Sequence, residues 1–143
     1  MKMKKNLLLL ALMLFFSGCV SAPENSLYGT IWRPEDSPEG ARLEITPDGR
    51  IVGATPDNYF FAPVKFPEPG KVEFAAIAVT RRAGPNGEFE QKFLQALNET
   101  AGYRLEDGKL ILLNGAGGEV LRLDFTGKSQ LPSASGSESQ TAE

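Results

Sequence analysis

Apolar residues between positions 88 and 99 recur at the spacing of an α-helix. Four of them fall on one face of such a helix: Phe89, Phe93, Ala96 and Leu97. Asn86 stands where the side chain of an N-cap residue would accept a backbone N–H of the first turn. Gly102 is placed to end the helix in a left-handed conformation. The pattern therefore predicts one amphipathic helix whose apolar face lies in the core.

After the helix, the apolar residues recur at every second position, which is typical of strands. The pair Asp107–Gly108 separates two apolar runs and predicts a tight hairpin turn. Leu121, Leu123 and Phe125 alternate with more polar residues, which predicts a half-buried strand. The glycine-rich turn at residues 115–118 leads into this strand and not into a helix, so it does not match a phosphate-binding loop.

Short strands are also predicted before the helix. Turn residues separate five such segments: 27–33, 41–46, 50–54, 58–64 and 71–79. Pro63 cannot donate a backbone hydrogen bond, which predicts that its strand lies at a sheet edge or ends there. About eight short strands with one helix predict a mainly β fold, either a sandwich or a small antiparallel β-barrel-like domain.

The N-terminal residues 1–18 have the three parts of a secretory signal peptide. Three lysines lead into an apolar run at residues 7–16, and two small residues follow. The apolar run is shorter than a typical membrane-spanning helix. Residues 1–18 are therefore predicted to be a signal that is removed on export.

The residue after this signal, Cys19, is the only cysteine of the chain. The tetrad FSGC at residues 16–19 resembles the lipobox of bacterial lipoproteins, which implies lipidation of Cys19 and attachment to a membrane. Two or more acyl chains hold a protein stably. A secreted protein with an incidental cysteine is the alternative. The residue after Cys19 is Val20 and not aspartate. In a host with two membranes, this resembles the signal for sorting to the outer membrane, on its periplasmic side.

The segments on either side of the predicted domain are polar. Residues 19–26 are predicted to be a lipidated tether. Residues 127–143 are rich in serine, glycine and glutamate, which predicts a disordered tail. The domain itself is expected at residues 27–126, which is long enough for one core without disulfides or metals.

The charge balance and the missing histidine narrow the possible functions. Once the three lysines of the signal are removed, 12 basic and 18 acidic residues remain. An acidic chain without a basic patch argues against nucleic acid as a partner. The chain has no histidine, which removes Ser-His-Asp and Cys-His nucleophilic sites and imidazole metal sites. Paired carboxylates and Ser-Lys chemistry stay open.

Several stretches, taken in order, carry a resemblance to a known family: GTIWR, LEITPDGRIVGA, VTRRAG with EQKFLQAL, and YRLEDGKLILLNGAGGEVLRLDF. Together they resemble the META domain, the family of the heat-inducible HslJ-like lipoproteins of bacteria. The resemblance implies a compact β-barrel-like fold with one helix, in envelope proteins associated with heat shock, envelope stress and resistance to some antibiotics. It brings no catalytic residues.

The chain departs from the family at two cysteine positions. The family usually shows Gly-Cys-Asn where this chain has Pro56–Asp57–Asn58, and it often has a cysteine where this chain has Gly84. If the two cysteines pair in relatives, the loss of one favours the loss of the other. The domain must then fold without a cross-link that can contribute a few kcal/mol.

Two segments supply candidate binding residues. The densest aromatic cluster is Asn58, Tyr59, Phe60 and Phe61, of which the first three are the candidate binding residues. One of Tyr59 and Phe60 is expected to be exposed, because neighbouring strand residues point to opposite faces. An exposed aromatic side chain here is a candidate for binding a partner protein. Arg81 and Arg82 could bind a carboxylate or phosphate, or could form surface ion pairs with the glutamates of the helix.

Other candidates have simpler structural interpretations. Trp32 could stack on a ligand, but a core aromatic is the favoured interpretation. Asp48, Asp57 and Asp107 each stand in a turn signal, where aspartate accepts backbone hydrogen bonds. The acidic loop at residues 35–39 is expected to be solvated, because it lacks the spacing of an EF-hand calcium loop. No catalytic residue, metal or cofactor is predicted.

The sequence thus predicts a monomeric envelope lipoprotein that acts by binding a protein and not by catalysis. Two alternatives remain open. A small closed barrel could carry one apolar ligand, which would require an internal cavity. A carboxylate-dependent hydrolase would require a cleft with two facing acids whose pKa values are raised.

Overall fold

The structure is a computed structural model that describes residues 27–130. The predicted signal peptide, the tether with Cys19 and residues 131–143 of the predicted tail lie outside the described residues. Within residues 27–130, nine strands and one helix follow one another: β1 Thr30–Pro34, β2 Arg42–Ile45, β3 Arg50–Ala54, β4 Tyr59–Lys65, β5 Glu73–Phe74, β6 Ala78–Val79, α1 Gly87–Glu99, β7 Thr100–Glu106, β8 Lys109–Asn114 and β9 Glu119–Lys128. No helix in this range is long and apolar enough to cross a membrane.

The strands form one antiparallel sheet that nearly closes on itself. Its order is β5-β4-β3-β2-β1-β9-β8-β7, and β6 pairs with β4 on the same side as β5. The two ends meet where Lys71 pairs with Gly102 and where Tyr103 N–H donates to Gly70 O over 2.9 Å. A Cβ at Gly102 would lie 2.9 Å from that same carbonyl oxygen, so glycine permits the close approach. The predicted mainly β fold with one helix and a barrel-like sheet is confirmed, with nine strands instead of eight.

Apolar side chains from the strands and the helix fill the interior of the barrel. Fourteen buried residues form this core: Leu27, Trp32, Leu43, Ile45, Ile51, Phe60, Ala62, Val64, Val72, Phe93, Leu97, Leu110, Leu112 and Leu123. The helix packs against β8 and β9, and Phe93 meets Phe60 edge to face with ring centroids 5.3 Å apart. Phe93, Ala96 and Leu97 are buried and Phe89 is partly buried, so the predicted apolar face of the helix is confirmed.

Both predicted helix ends need correction. Asn86 is at the N-cap position, but its side chain makes no capping hydrogen bond; its backbone N–H instead donates to Asp57 Oδ2 over 2.9 Å. The helix ends at Glu99 and continues directly into β7, where Thr100 Oγ1 donates to Ala96 O over 2.7 Å. Gly102 therefore does not end the helix, because it is needed inside β7 at the closure of the barrel.

The single strand predicted over residues 71–79 is wrong, because β5 and β6 are separate. Ala75 N–H donates to Pro63 O over 3.0 Å, and Thr80 N–H donates to Tyr59 O over 2.9 Å. The odd-numbered residues of β4 therefore direct their peptide groups towards β5 and β6, and Pro63 has no N–H to offer there. The break between β5 and β6 lies at this missing donor. β4 is paired on both sides and is not the edge strand that Pro63 predicted.

The last strand is longer than the sequence pattern indicates. β9 continues through Gly127 to Lys128, which pairs with Thr30 of β1. Ser129 N–H then donates to Gly29 O over 2.8 Å. The ordered domain therefore extends past residue 126, and the predicted start of the tail at residue 127 is too early.

Candidate binding surface

The three aromatic residues at the start of β4 alternate between the two faces of the sheet. Phe60 is 1% exposed and lies in the core, whereas Tyr59 is 58% and Phe61 is 56% exposed. One of Tyr59 and Phe60 is exposed, as predicted, and it is Tyr59. The proposal that Phe60 belongs to a binding site is wrong, because a core side chain cannot meet a partner. Phe61, which is exposed on the same face as Tyr59, replaces Phe60 as a candidate binding residue.

Tyr59 and Phe61 belong to a larger apolar surface. Phe61 pairs across the sheet with Val52 of β3 and with Ala78 of β6, and cross-strand partners share a face. Pro63 is exposed on the same face of β4. We call this set the β4 outer face, and it consists of Val52, Tyr59, Phe61, Pro63 and Ala78.

Asn58 is not a surface binding residue but a buried junction. Its Nδ2 donates to Arg82 O over 3.0 Å and to Glu90 Oε2 over 2.9 Å. Its Oδ1 accepts from Thr80 Oγ1 over 2.9 Å and from Arg82 N–H over 2.7 Å. One amide thus joins the start of β4, the segment after β6 and the helix. The side chain of Asn58 therefore holds the surrounding backbone in place.

Glu90 completes this junction from the helix. Its Oε2 accepts from Thr55 Oγ1 over 2.6 Å in addition to the bond from Asn58. Thr55 also binds the turn itself, since its Oγ1 accepts from Asn58 N–H over 2.9 Å. The carboxylate therefore faces neutral donors that satisfy it. This is the bonding that a partly buried charge needs in order to be tolerated.

Arg81 and Arg82 are both exposed, and neither forms an ion pair within residues 27–130. The predicted pairing with glutamates of the helix is wrong. Glu88 binds Lys92 Nζ over 2.8 Å, and Glu90 is taken by Asn58 and Thr55. Both arginines line a groove, and neither has an ion-pair partner within residues 27–130.

This groove separates the segment after β6 from the helix. It is an open cleft of about 410 Å³. Its wall on the strand side extends from Val79 to Ala83, and Glu90 and Leu94 line the helix side. Asn58 lies at its base. The groove and the β4 outer face adjoin at β6.

The remaining candidates have structural roles. Trp32 is buried, its Nε1 donates to Thr30 Oγ1 over 2.7 Å, and its ring meets Phe125. Asp48 accepts from Thr46 and Arg50, and these hydrogen bonds lower the pKa of its carboxyl group. Asp57 accepts from the backbone of Asn86, and Asp107 lies in its turn with a positive φ of 51°. Glu35 of the acidic loop pairs with Lys109.

The acidic side chains do not converge on one point. Residues 27–130 contain no group of three or more Asp, Glu, His or Cys side chains arranged to hold a metal ion. The carboxyl groups of Asp48, Glu88 and Glu119 have pKa values below their ordinary range, because each accepts hydrogen bonds from neighbouring side chains. Depressed values of this kind arise from surface ion pairs and provide no carboxylic acid that stays protonated near neutral pH.

The sequence did not predict Phe61 as a binding residue, nor Glu90 as a partner of Asn58 and Thr55. The signal for Phe61 was present, because residues two apart on a strand share a face, so an exposed Tyr59 implies an exposed Phe61. Glu90 could only be assigned to its helix, because its partners Thr55 and Asn58 are 35 and 32 residues away along the chain. No local pattern reports such a contact.

Comparisons with known proteins agree with this fold. A family model described as META domain matches residues 27–126. The chain is similar to an NMR structure of a protein from Burkholderia xenovorans, with 20% identity and a TM-score of 0.53, over 71% of this chain and 85% of that chain. It is also similar to the crystal structure of a DUF4847 family protein from Bacteroides vulgatus, with 12% identity and a TM-score of 0.57, over 68% of this chain and 93% of that chain. At these identities, the likeness to solved structures concerns the fold alone. No curated protein matches the chain.

Proposed function

This chain belongs to the META domain family, and from that premise we propose that it is a lipid-anchored protein of the bacterial cell envelope whose domain binds another protein. Its proposed location is the periplasmic side of the outer membrane, with Cys19 as the lipidated residue. Its proposed role is in envelope maintenance or stress tolerance, without catalysis. The chain has no histidine, which supports the non-catalytic part.

The β4 outer face is the observation that carries the binding proposal. Tyr59 and Phe61 are each more than half exposed and lie two residues apart on one strand. Val52 and Ala78 extend the apolar surface to the strands on either side. Contiguous apolar surface is costly in water, and on soluble domains it marks interaction sites. Aromatic side chains of this kind supply much of the binding energy in protein interfaces.

Packing of the barrel interior favours protein binding over ligand carriage. A carrier needs an internal apolar cavity, but Phe60, Phe93 and Trp32 extend into the interior from three different elements. Four grooves of the described domain are clefts open to solvent and not enclosed cavities. No observation specifically favours the carrier or the hydrolase.

Substitution of the cysteine tests the anchor. Cys19→Ala removes the thiol that lipidation requires, so the variant should move from the membrane fraction to the soluble fraction on cell fractionation. Ser21→Ala, two residues further along, is the matched control and should stay with the membrane. Membrane retention of the Cys19→Ala variant would refute lipid anchoring.

Substitution on the β4 outer face tests the binding proposal. Phe61→Ser removes an exposed aromatic side chain and should abolish the crosslinked partner band when the anchored protein is recovered from its native envelope. Leu105→Ser is the matched control, because Leu105 is 45% exposed and lies on β7, which does not pair with β4. The same partner band from wild type, Phe61→Ser and Leu105→Ser would refute binding through this face.

A further inference from the structure

The outer edge of β6 is a free strand edge, and we propose that it accepts an extended peptide segment carrying a carboxylate, which adds to the sheet as a further strand. This inference rests on the proposed function and names the chemistry of the partner. The peptide would lie in the groove between β6 and the helix, with its acidic side chain at Arg81 and Arg82.

The direction of the peptide groups leaves this edge open. Ala78 pairs with Phe61, and Thr80 N–H donates to Tyr59 O over 2.9 Å, so both residues face β4. Peptide groups alternate in direction along a strand, so those of Ile77, Val79 and Arg81 point away from β4. Within residues 27–130, β6 pairs with no strand other than β4. The backbone N–H and C=O groups at these three positions would form the hydrogen bonds to an added strand and fix its register.

The groove beside this edge has the form that strand addition requires. The helix faces the segment 79–83 across an open cleft of about 410 Å³. Val79 on one wall and Leu94 on the other are partly buried apolar residues. In recognition by strand addition, backbone hydrogen bonds supply affinity and side-chain contacts at alternate positions supply specificity. Val79 and Leu94 would contact apolar side chains of the peptide.

The charges at the groove select an acidic peptide. Arg50, Arg104 and Arg122 each pair with a carboxylate elsewhere on the domain. In contrast, Arg81 and Arg82 have no carboxylate partner among the described residues, although the chain is acidic as a whole. A guanidinium group binds a carboxylate through paired N–H donors. The partner would therefore supply the missing carboxylate.

Hydrogen bonds to Glu90 and to the backbone of Arg82 make the groove more favourable for binding an anion. The carboxylate of Glu90 lies in the lining, but it accepts hydrogen bonds from Thr55 and Asn58 and is turned towards them. The backbone of Arg82 is fixed on both sides, since Asn58 Oδ1 accepts its N–H and Asn58 Nδ2 donates to its carbonyl. A wall that is ordered before binding lowers the entropic cost of association.

Peptide binding to the detergent-solubilised full chain tests the proposal. The probe is a fluorescein-labelled peptide of alternating valine and glutamate, measured by fluorescence anisotropy. One comparison peptide has glutamine for glutamate, and another has N-methyl groups at alternate positions, which block the backbone donors. The acidic peptide should bind at least about tenfold more tightly than either comparison peptide, because each lacks one part of the recognition.

Variants of the chain locate the site. The double variant Arg81→Gln with Arg82→Gln should weaken binding of the acidic peptide by about tenfold or more. Arg42→Gln is the matched control, because Arg42 is exposed on β2 and forms no ion pair within residues 27–130. It should bind as the wild type does. Val79→Pro removes an outward-facing N–H and should also weaken binding.

Equal affinity for the acidic and N-methylated peptides would overturn strand addition, and equal affinity for the acidic and glutamine peptides would overturn the role of the arginines. A tenfold gain on deletion of residues 131–143 would assign the groove to the chain's own acidic tail and overturn the partner peptide. If the peptide fails to bind while the Phe61-dependent crosslink persists, this inference fails and the proposed function stands.

Discussion

Asn58 joins three segments of the domain through one buried amide. All four of its hydrogen bonds described above connect parts of the chain that are distant in sequence, from β4 to the segment after β6 and to the helix. The placement of Asn58 explains why an apolar or shorter side chain would not serve.

Asn58→Ala should lower the free energy of unfolding by about 2–4 kcal/mol, because it removes one of the two donors to Glu90 and both side-chain partners of the Arg82 backbone. Urea unfolding of the full chain measures this change. Asn98→Ala, at an exposed position of the helix, is the control and should change it by less than about 0.5 kcal/mol. Equal effects of the two substitutions would show that the junction contributes nothing specific.

Asp57 and Gly84, the two positions where the resemblance to the META family implies cysteine in relatives, lie against each other in this chain. A Cβ at Gly84 would be 2.2 Å from Asp57 Cγ. The double variant Asp57→Cys with Gly84→Cys should therefore form a disulfide after small backbone shifts, with a stabilisation of up to about 3 kcal/mol. Non-reducing mass spectrometry and thermal unfolding with and without reductant measure this. Two free thiols that persist in oxidising buffer would contradict the placement.

Residue-level prediction succeeded or failed according to how far the deciding contact lies along the chain. Alternation on β4 correctly required one of Tyr59 and Phe60 to be exposed. The choice between them depends on β3, where Gly53 pairs with Phe60 and leaves room for its ring. Arg81 and Arg82 were placed correctly on the surface, but their expected glutamate partners are bound by other residues.

At the level of elements, the helix supplies part of the barrel core. Phe93 is 2% exposed and packs against Phe60 of β4. Phe93→Ala should cost about 3–5 kcal/mol of unfolding free energy, through lost apolar burial and the cavity that remains. Gln95→Ala on the exposed side of the helix is the control. A loss below about 1 kcal/mol for Phe93→Ala, measured by urea unfolding, would mean that the helix is peripheral.

The last strands are connected on their surface by ion pairs centred on Glu119. Its carboxylate binds Arg122 over 2.9 Å and also Arg104, and the hydrogen bond from Arg122 is the largest cause of its lowered pKa. The folded state therefore holds the ionised form more firmly than the unfolded state does. The resulting stabilisation is present above the ordinary pKa of 4.5 and is lost as the pH falls through the lower folded value.

Glu119→Gln should accordingly reduce the loss of stability on acidification from pH 7 towards pH 3. The urea midpoint, followed across this range, measures the effect. Glu39→Gln is the control, because Glu39 is exposed and has no ion pair in the described part of the chain. An unchanged pH dependence in the Glu119→Gln variant would refute the contribution of this pair. Because the group is exposed, added salt should weaken the effect.

Elements with strong local signals were predicted well. The structure confirms the predicted positions of several elements. They are the turns at Asp48–Gly49 and Asp107–Gly108, the strand at residues 50–54 and the helix. The break between β5 and β6 was missed because it lies opposite Pro63, which belongs to another strand and has no N–H. The role of Gly102 was missed because closure of the barrel requires it, and closure is a property of the whole sheet.

At the level of the whole molecule, a nearly closed barrel with a filled apolar interior leaves its outer surface for function. The nearly continuous sheet removes most strand edges, which limits aggregation. The edge at β6 and the β4 outer face beside it are therefore the features that an envelope partner would meet. A lipid anchor at Cys19, followed by a short tether, would hold this surface close to the membrane.

The most direct test of the central claim is site-specific photocrosslinking in living cells that carry the full chain with Cys19 intact. A benzophenone amino acid at position 61 should give one discrete crosslinked protein species in the membrane fraction. The same group at position 105, another exposed apolar position, should not give that species. A discrete product at position 61 that is absent at position 105 is the predicted result. No product at position 61, or the same products at both positions, would contradict a protein-binding role for the β4 outer face.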